Sequence, residues 1–219
     1  MLIIKIGGGK DLNLVGIVKD LASLNEKFII VHGANALRDE LAQKLGIEKK
    51  VVTSLSGYDS VFSDENTIDL AMMAYAGLKN KRIVELFQQH GVNAVGLSGL
   101  DGKVIQGKRN SGIKVRDGGK TLLLRDFSGK PKAINKQLLD LLLDNGYTPV
   151  LSVPLIDENN FAINSENDDI ITLLQNEFKA DKIISLIEAP GFLLDKNDPS
   201  SLVSKISKAE LEEIEQKVD

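Results

Sequence analysis

Leu2-Ile3-Ile4-Lys5-Ile6 runs directly into Gly7-Gly8-Gly9, so that an apolar strand ends in a glycine turn. Comparable apolar runs occupy residues 28–32, 92–97, 148–153 and 182–187. Within each run the apolar residues follow one another without alternation, which is typical of parallel strands covered on both faces. Segments with helical spacing, such as residues 14–21, lie between the runs. This order predicts an α/β fold, a three-layer αβα sandwich around a central, mainly parallel sheet.

Other segments fit the helical layers. Residues 64–78 and 81–90 predict two helices, and Gly91 suits the end of the second. A further helix is expected to begin near Pro131. Its predicted buried face consists of Ile134, Leu138, Leu141 and Leu142.

The segment from residue 104 to residue 127 departs from this pattern, because it is rich in glycine and in β-prone residues. Asp117-Gly118-Gly119 is a turn signal between two such stretches and predicts a β-hairpin flap on the sheet. Residues 101–136 carry ten cations and three carboxylates, a net charge of +7 within a chain of net charge −4. Two interpretations are open: a solvated hairpin edge protected by lysines, or a docking surface for an acidic partner.

The composition of the 219 residues is ordinary for a globular protein, with 42% apolar and 26% charged side chains. It excludes a disordered or collagen-like chain, and the negative net charge argues against a duplex DNA-binding protein. The lack of cysteine excludes disulfides and thiolate chemistry, and two histidines argue against a histidine metal cluster. The apolar N-terminal run is too short for a signal peptide or a membrane span. We therefore expect a cytoplasmic protein that binds neither nucleic acid nor membrane.

Glycines follow three of the predicted strands, in Gly7-Gly8-Gly9, in His32-Gly33-Ala34 and in residues 97–102. Open parallel sheets bind ligands beyond the carboxyl ends of their strands, where backbone N–H groups and helix N-termini favour anions. The three turns together predict an anion site, although each turn alone could serve conformation only. Lys5 lies within the first strand, where a charge is costly unless it is paired. We expect its ammonium group to face the anion; the alternative is a snorkelling lysine on an edge strand.

Polar residues also cluster in Asn164-Ser165-Glu166-Asn167-Asp168-Asp169, before a segment with helical spacing of apolar residues. Asn, Ser and Asp are ordinary helix caps and first-turn acids, so capping alone can explain the cluster. A role in the anion site is the alternative.

Several of these motifs occur together in one known family. Lys5-Ile6-Gly7-Gly8, the His32-Gly33 turn, Asn164 with Asp168, and residues 188–193 follow one another in the family's order. The chain resembles the amino acid kinase family and, within it, the N-acetylglutamate kinase branch. Some kinases of that branch act on aminoadipate or glutamate held on an amino-group carrier protein. Similarity to these kinases extends to residues 53–58, 80–86, 92–102 and 146–151.

The resemblance implies ATP-dependent phosphorylation of a side-chain carboxylate to an acyl phosphate, with Mg²⁺ as cofactor and no protein metal ligand. Lys5 is then the catalytic lysine that stabilises the transferred phosphoryl group, and Asp168 orients it. The implied substrate-binding residues are Gly8, Gly33, Ala34 and Asn164. The implied nucleotide-binding residues are Gly7, Gly8, Glu188, Gly191, Phe192 and Leu193. The implied partners are an acidic amino-group carrier protein and a second copy of the chain in a homodimer.

By the same resemblance, residues 1–219 belong to one kinase domain. Residues up to about 172 form its substrate-binding lobe, and residues 173–219 form part of its nucleotide-binding lobe. The family continues past the position of Asp219 with a helix that bears a second catalytic lysine, so the chain is expected to be truncated. Ala34 replaces a usual glycine, and Val51 and Val61 stand where relatives carry a substrate-binding arginine. Arg82 or a cation of the flap is the expected substitute.

Two alternatives to a kinase for carrier-bound substrates are open. One is an N-acetylglutamate kinase that acts on the free metabolite. The other is a catalytically incomplete, kinase-like protein that binds a metabolite or a partner without turnover.

Overall fold

The computed structural model of the chain describes residues 1–48, 50–55, 57, 59–195 and 197–218. Ser56 and Tyr58 of the family-like segment 53–58 lie outside the described residues. Compactness divides the chain into two units, Met1–Leu186 and Ile187–Asp219. The predicted boundary near residue 172 separates a substrate-binding lobe from a nucleotide-binding lobe, so it does not have to coincide with the compact units. It stays a prediction.

The first unit alternates strands and helices. Its strands are β1 (Leu2–Ile6), β2 (Phe28–His32), β3 (Val51–Thr53), β4 (Asp59–Val61), β5 (Ala94–Ser98), β6 (Ile105–Arg109), β7 (Ile113–Asp117), β8 (Lys120–Leu124), β9 (Gly129–Ile134), β10 (Thr148–Ser152), β11 (Leu155–Ile156), β12 (Ala162–Ile163) and β13 (Lys182–Leu186). Its α-helices are α1 (Leu14–Ala22), α2 (Asn35–Leu45), α3 (Glu65–Ala71), α4 (Asn80–Gln89), α5 (Lys136–Asp144) and α6 (Asn167–Phe178). A π-helix (Met72–Lys79) and a short 3₁₀ turn (Asp101–Lys103) complete the unit.

The main sheet has five strands in the order β13-β1-β2-β10-β5, and its neighbouring strands are parallel. Successive side chains of a strand point to opposite faces. Leu2, Ile4 and Ile6 accordingly join the core that contains residues of α1 and α4. Ile3 joins the core that contains residues of α5 and α6. The predicted α/β sandwich around a mainly parallel sheet is confirmed.

The predicted flap is also confirmed. β7 and β8 pair antiparallel, and Gly118 and Gly119 form the turn between them with φ angles of +54° and +81°, which favour glycine. β6 pairs antiparallel with β9 in a separate sheet of the order β12-β11-β6-β9. β3 and β4 form a second antiparallel pair.

The helix predicted near Pro131 lies farther along the chain. Pro131 belongs to β9, and α5 begins after its N-cap Asn135. Leu139 and Leu143 are its buried residues, whereas Leu141 of the predicted buried face is 61% exposed. The predicted face was wrong because five of the six residues 138–143 are leucines. Which of them are buried depends on where the helix begins, and the N-cap Asn135 determines that.

The helices predicted at residues 64–78 and 81–90 form one continuous run. It begins after Asp64, whose side chain accepts the Thr67 N–H, and it passes through α3, the π-helix and α4. Gly91 follows the run with φ of +77°, as expected for a residue after a helix end. The sequence did not indicate the π-helix between the two α-helices.

The second unit is small. It contains β14 (Phe192–Leu193), a 3₁₀ turn (Pro199–Ser201), β15 (Leu202–Val203) and α7 (Lys208–Val218). β14 and β15 pair antiparallel. Ser207 and Glu210 form a reciprocal capping pair at the start of α7. Within the described part of the chain, no helix combines the length and apolar character needed to cross a membrane.

Candidate functional site

Two glycine turns touch at the carboxyl edge of the main sheet, where β1 and β2 end side by side. The Gly33 N–H donates to the Ile6 carbonyl at 2.8 Å, and the Ala36 N–H donates to the Gly8 carbonyl at 3.0 Å. A Cβ atom on Gly8 would lie 2.6 Å from the Asn35 nitrogen, and one on Gly33 would lie 2.8 Å from the Gly8 nitrogen. Both positions require glycine because the two backbones are in contact.

These contacts narrow the set of N–H groups that could meet an anion. The Gly33 N–H extends the β1–β2 ladder, and the Gly7 N–H donates to the Leu186 carbonyl at 2.8 Å. Both groups are therefore engaged within the protein, and Gly33 serves the site through its lack of a side chain. Gly8 is the stronger candidate for an N–H donor, because the Ala34 N–H faces the hydroxyl oxygen of buried Tyr75. Ala34 has φ of −150°, which any residue can adopt, so it replaces the usual glycine without strain.

The third glycine turn does not join the first two. Its strand β5 is separated from β2 by β10. The Gly99 N–H donates to the Ser152 carbonyl, and a Cβ atom on Gly99 would lie 2.8 Å from the Leu155 Cα. Gly99 thus allows close backbone packing, and the anion site predicted from three turns is reduced to two.

Lys5 forms the ion pair that the resemblance implied. β1 lies between β13 and β2, so the alternative of an edge-strand lysine does not hold. The Lys5 side chain is 19% exposed, and its Nζ lies 2.5 Å from Oδ1 of Asp168 in the first turn of α6. Asp168 itself is 76% exposed, so the pair contributes little to stability. Its effect is to hold the ammonium group at the carboxyl edge of the sheet.

The start of α6 also reaches the glycine contact. Its N-cap is Glu166, whose side chain makes no capping hydrogen bond, whereas Asp168 and Asp169 lie in the first turn, where acidic side chains are favoured. Nδ2 of Asn167 lies 3.3 Å from the position of a Cβ atom on Gly33. Asn164 is fixed through its backbone, which donates to the Phe127 carbonyl at 2.7 Å. The segment 164–168 therefore places Asp168 beside Lys5 and Asn167 beside Gly33, and Asn164 begins the same segment.

Asn164 lines a cavity of about 440 Å³. Ser165, Asn110, Arg38 and Lys130 contribute to the same cavity. The Ser165 hydroxyl is buried and has no hydrogen-bond partner among the described residues. The wall also holds the carboxylates of Asp126 and Glu166, so the two cations are the groups in this polar cavity that would meet a small acidic ligand.

Arg38 is the functional candidate that sequence reasoning missed. It lies in α2 one turn after the His32-Gly33 turn, and its guanidinium is 20% exposed and 2.7 Å from Asp39. Side chains in a first helical turn lean toward the helix N-terminus, and this direction was the available signal. The expected substitute, Arg82, lines a different cavity of about 780 Å³ beside Gly8 and pairs with Glu85 at 2.7 Å.

The remaining predicted nucleotide contacts lie in the second unit. Phe192 and Leu193 form β14, and Glu188 is exposed. Gly191 has φ of +145°, and a Cβ atom there would lie 2.8 Å from Cδ1 of Leu202. Packing therefore explains this glycine, and the contacts of these residues with nucleotide stay a prediction.

Comparison with known proteins identifies the family. The model of the Amino acid kinase family matches residues 1–219. The chain belongs to the amino acid kinase family. The family predicted from the sequence is confirmed, and with it the class of enzyme, a kinase.

Relatives within the family carry two kinds of name. A "[LysW]-aminoadipate kinase" of Thermus thermophilus is 39% identical over 98% of the chain and 81% of its own length. An "Acetylglutamate kinase" of Methanopyrus kandleri is 33% identical over 99% of the chain and 83% of its own length. Among solved structures, carbamate kinase from Giardia lamblia bound to AMP-PNP is similar with a TM-score of 0.63 and 12% identity, over 99% of the chain and 83% of its own. That likeness supports the family fold.

Proposed function

We propose that the chain uses ATP to phosphorylate the side-chain carboxylate of L-2-aminoadipate or glutamate held on an acidic amino-group carrier protein. The product is an acyl phosphate that serves lysine or arginine biosynthesis. The observation that carries the proposal is the ion pair between Lys5 and Asp168. Asp168 lies at the start of α6, where Asn167 also comes close to Gly33. The carrier-bound substrate is suggested by the name of the Thermus thermophilus relative. The cytoplasm stays the proposed compartment.

The chemistry requires compensation of negative charge. A carboxylate attacks the terminal phosphoryl group of ATP, so one anion approaches another, and the transferred group carries charge on its oxygens. We assign the ammonium group of Lys5 and the N–H group of Gly8 to these oxygens. Such preorganised donors act most strongly where charge develops in the transition state. No general base is needed, since the attacking carboxylate is ionised near neutral pH.

The way in which Mg²⁺ would bind follows from the side chains that are present. Among the described residues, no three His, Asp or Glu side chains are grouped so that they could hold a metal ion. Mg²⁺ commonly keeps its waters and binds through substrate phosphates, which it neutralises. The residues described are compatible with an ion that enters with ATP. The protein's own contribution at this site is then the fixed charge of Lys5.

The cavity lined by Asn164 is the proposed substrate site. Arg38 is a cation of its wall that can form a bidentate pair with a carboxylate. Lys130, the other cation of the wall, is bonded to Asp169 at 2.6 Å, and Arg38 is bonded to Asp39 at 2.7 Å, but the guanidinium has five N–H donors and keeps several of them for a ligand. We therefore assign recognition of the second carboxylate of the substrate to Arg38, with Asn164 beside it.

N-acetylglutamate is the second candidate substrate. Acetylglutamate kinases are among the relatives at 33% identity, and the cavity's amide and cations suit this free metabolite too. The two candidates differ in whether the amino acid arrives on a protein.

The proposal is tested by measuring ADP release with Mg-ATP and three acceptors in parallel. These are carrier protein loaded with aminoadipate, carrier protein loaded with glutamate, and free N-acetylglutamate. We expect the highest kcat/KM with a loaded carrier, and unloaded carrier is the control. Faster turnover of N-acetylglutamate would reverse the assignment of substrate. Binding of Mg-ATP by calorimetry without turnover of any acceptor would favour a kinase-like binding protein.

A further inference from the structure

A buried polar network lies directly beneath the Gly33 turn. His32 and Asn80 are fully buried, and Nδ2 of Asn80 lies 3.1 Å from Nε2 of His32. The same Nδ2 donates to the Val150 carbonyl at 2.9 Å, and Nζ of Lys81 donates to Oδ1 of Asn80 at 3.2 Å. The network joins the end of β2 to β10 and to the start of α4.

The partners of Asn80 determine where the proton of His32 lies. The Val150 carbonyl can only accept a hydrogen bond, so the Asn80 atom beside it is the amide nitrogen. The Lys81 ammonium can only donate, so the Asn80 atom beside it is the amide oxygen. Nδ2 of Asn80 therefore donates to Nε2 of His32, which carries no proton. The ring proton then sits on Nδ1, which donates to the Gly33 carbonyl at 3.3 Å. Burial lowers the pKa of His32 to about 4, so the ring is neutral at pH 7.

The bond from His32 acts on a single peptide group. The carbonyl of Gly33 and the N–H of Ala34 belong to one planar trans peptide, so the direction of one fixes the direction of the other. The Ala34 N–H lies beside the hydroxyl oxygen of Tyr75, whose O–H donates to Oδ1 of Asn35. The Gly33–Ala34 peptide is therefore flanked at both ends by buried polar side chains.

Tyr75, which contacts the peptide, and Asn80, which holds His32, both come from the π-helical region. Tyr75 lies within the π-helix, and Asn80 is the first residue of α4 behind it. In an α-helix, residues five positions apart point in directions that differ by about 140°. The i→i+5 hydrogen bonding of a π-helix brings such residues to the same side. This geometry allows Tyr75 and Asn80 to support the same turn.

We propose that His32 is a positioning residue, whose Nδ1–H fixes the Gly33 carbonyl and thereby the Gly33–Ala34 peptide, which packs on Gly8 and so sets the direction of the Gly8 N–H toward the phosphoryl oxygens. The identity of that ligand rests on the proposed function. The orientation of the peptide is a property of the chain alone and can be measured without turnover.

The test compares three replacements of His32. In His32→Asn the side-chain amide places an N–H close to the position of Nδ1, whereas His32→Gln carries its amide farther out and His32→Leu has no donor. Gln88→Leu is the matched control, because Gln88 also hydrogen-bonds from α4 to the sheet, at the Ala94 carbonyl. Each variant is assayed for kcat, for both KM values, for the ¹⁵N–¹H resonance of Ala34 and for its unfolding midpoint.

We expect His32→Leu and His32→Gln to lower kcat by on the order of 10-fold to 10²-fold, as misplaced catalytic groups do, with little change in KM. His32→Asn is expected to restore most of kcat and to return the Ala34 resonance toward its wild-type position. Gln88→Leu should leave both unchanged. Equal losses in the Asn and Gln variants, or an Ala34 resonance that is the same in all variants, would overturn the proposal.

Loss of folding is separated from loss of positioning. If His32→Leu does not fold, the comparison of Asn with Gln still decides the outcome, since both keep a polar amide in the buried site. If wild-type protein turns over no acceptor, the proposed function fails. The Ala34 resonance still reports whether His32 holds the peptide.

Discussion

Lys5 combines a charged group with a position inside a sheet. Its strand has neighbours on both sides, and Asp168 holds its ammonium group at 2.5 Å. We expect Lys5→Ala to retain its fold, because the exposed partner Asp168 can be hydrated. It should lose kcat on the order of 10²-fold or more, the usual effect of removing one charge-stabilising donor. The measurement is ADP release together with the unfolding midpoint.

Lys27→Ala is the control for this variant. Lys27 also pairs with an aspartate, Asp144, at 2.8 Å, but both side chains are more than half exposed. Its kcat should match that of the wild type. Near-wild-type turnover of Lys5→Ala would exclude Lys5 from the mechanism.

Arg38 and Arg82 provide a direct test of how substrate is recognised. A hydrogen bond to a charged group contributes roughly 1.5–3 kcal/mol, so Arg38→Gln should raise KM for the acceptor about 10-fold to 10²-fold. KM for ATP should change little, and so should both KM values of Arg82→Gln. If Arg82→Gln raised the acceptor KM instead, the interpretation drawn from the sequence would be correct.

Some residues of the site could be predicted from the sequence and others could not. Lys5 and Asp168 were identified by motif, and their pairing is observed. The engagement of the Gly33 N–H depends on the register of β1 with β2, which the glycines do not reveal. Arg38 escaped notice because its place in the cavity depends on where α2 lies relative to α6. The network of His32 joins residues 48 positions apart, so no local pattern indicates it.

Strands were easier to predict than helix details. Uninterrupted apolar runs located the five strands of the main sheet to within one or two residues at their ends. Burial on both faces explains this for β1, β2 and β10, whereas β13 is largely exposed. The predicted strand 92–97, for example, is observed as Ala94–Ser98. The buried face of α5 was predicted wrongly, because apolar residues lie on several faces of this helix. The π-helix was missed because its hydrogen-bond pattern has no compositional signature.

Charge is distributed unevenly over the molecule. The chain as a whole has a net charge of −4, whereas residues 101–136 carry +7. Some of these cations are engaged: Arg109 pairs with buried Asp157 and packs on Phe127, and Lys130 pairs with Asp169. Exposed cations are available on β6 and along β7. We infer that this exposed part of the basic segment meets the acidic carrier protein.

A triple variant tests the basic segment as a docking surface. Lys108, Lys114 and Arg116 are exposed, so their replacement by Glu should not disturb the core. We expect KM for the loaded carrier to rise on the order of 10-fold, and to rise with salt in the wild type, since surface charge pairing is screened. KM for ATP should stay constant. Arg109 is kept, because its removal would leave Asp157 buried without its partner.

The matched control reverses three exposed lysines elsewhere, Lys19, Lys27 and Lys44, and changes the net charge by the same amount. If both triple variants weakened the carrier equally, total charge rather than a local surface would be responsible. An unchanged KM in both would leave the segment as a solvated edge.

The π-helix makes the length of this segment as important as its composition. If Met72–Lys79 became an ordinary α-helix without losing a residue, α3 would continue directly into α4. Every residue downstream in the helix would then rotate by about 100° about the axis. Asn80 would leave its buried position beside β2 and β10, and Nε2 of the His32 imidazole would lose its hydrogen-bond donor. A family member shorter by one residue at this point would keep the direction of Asn80 with an ordinary α-helix, because the wider turn accommodates the extra residue.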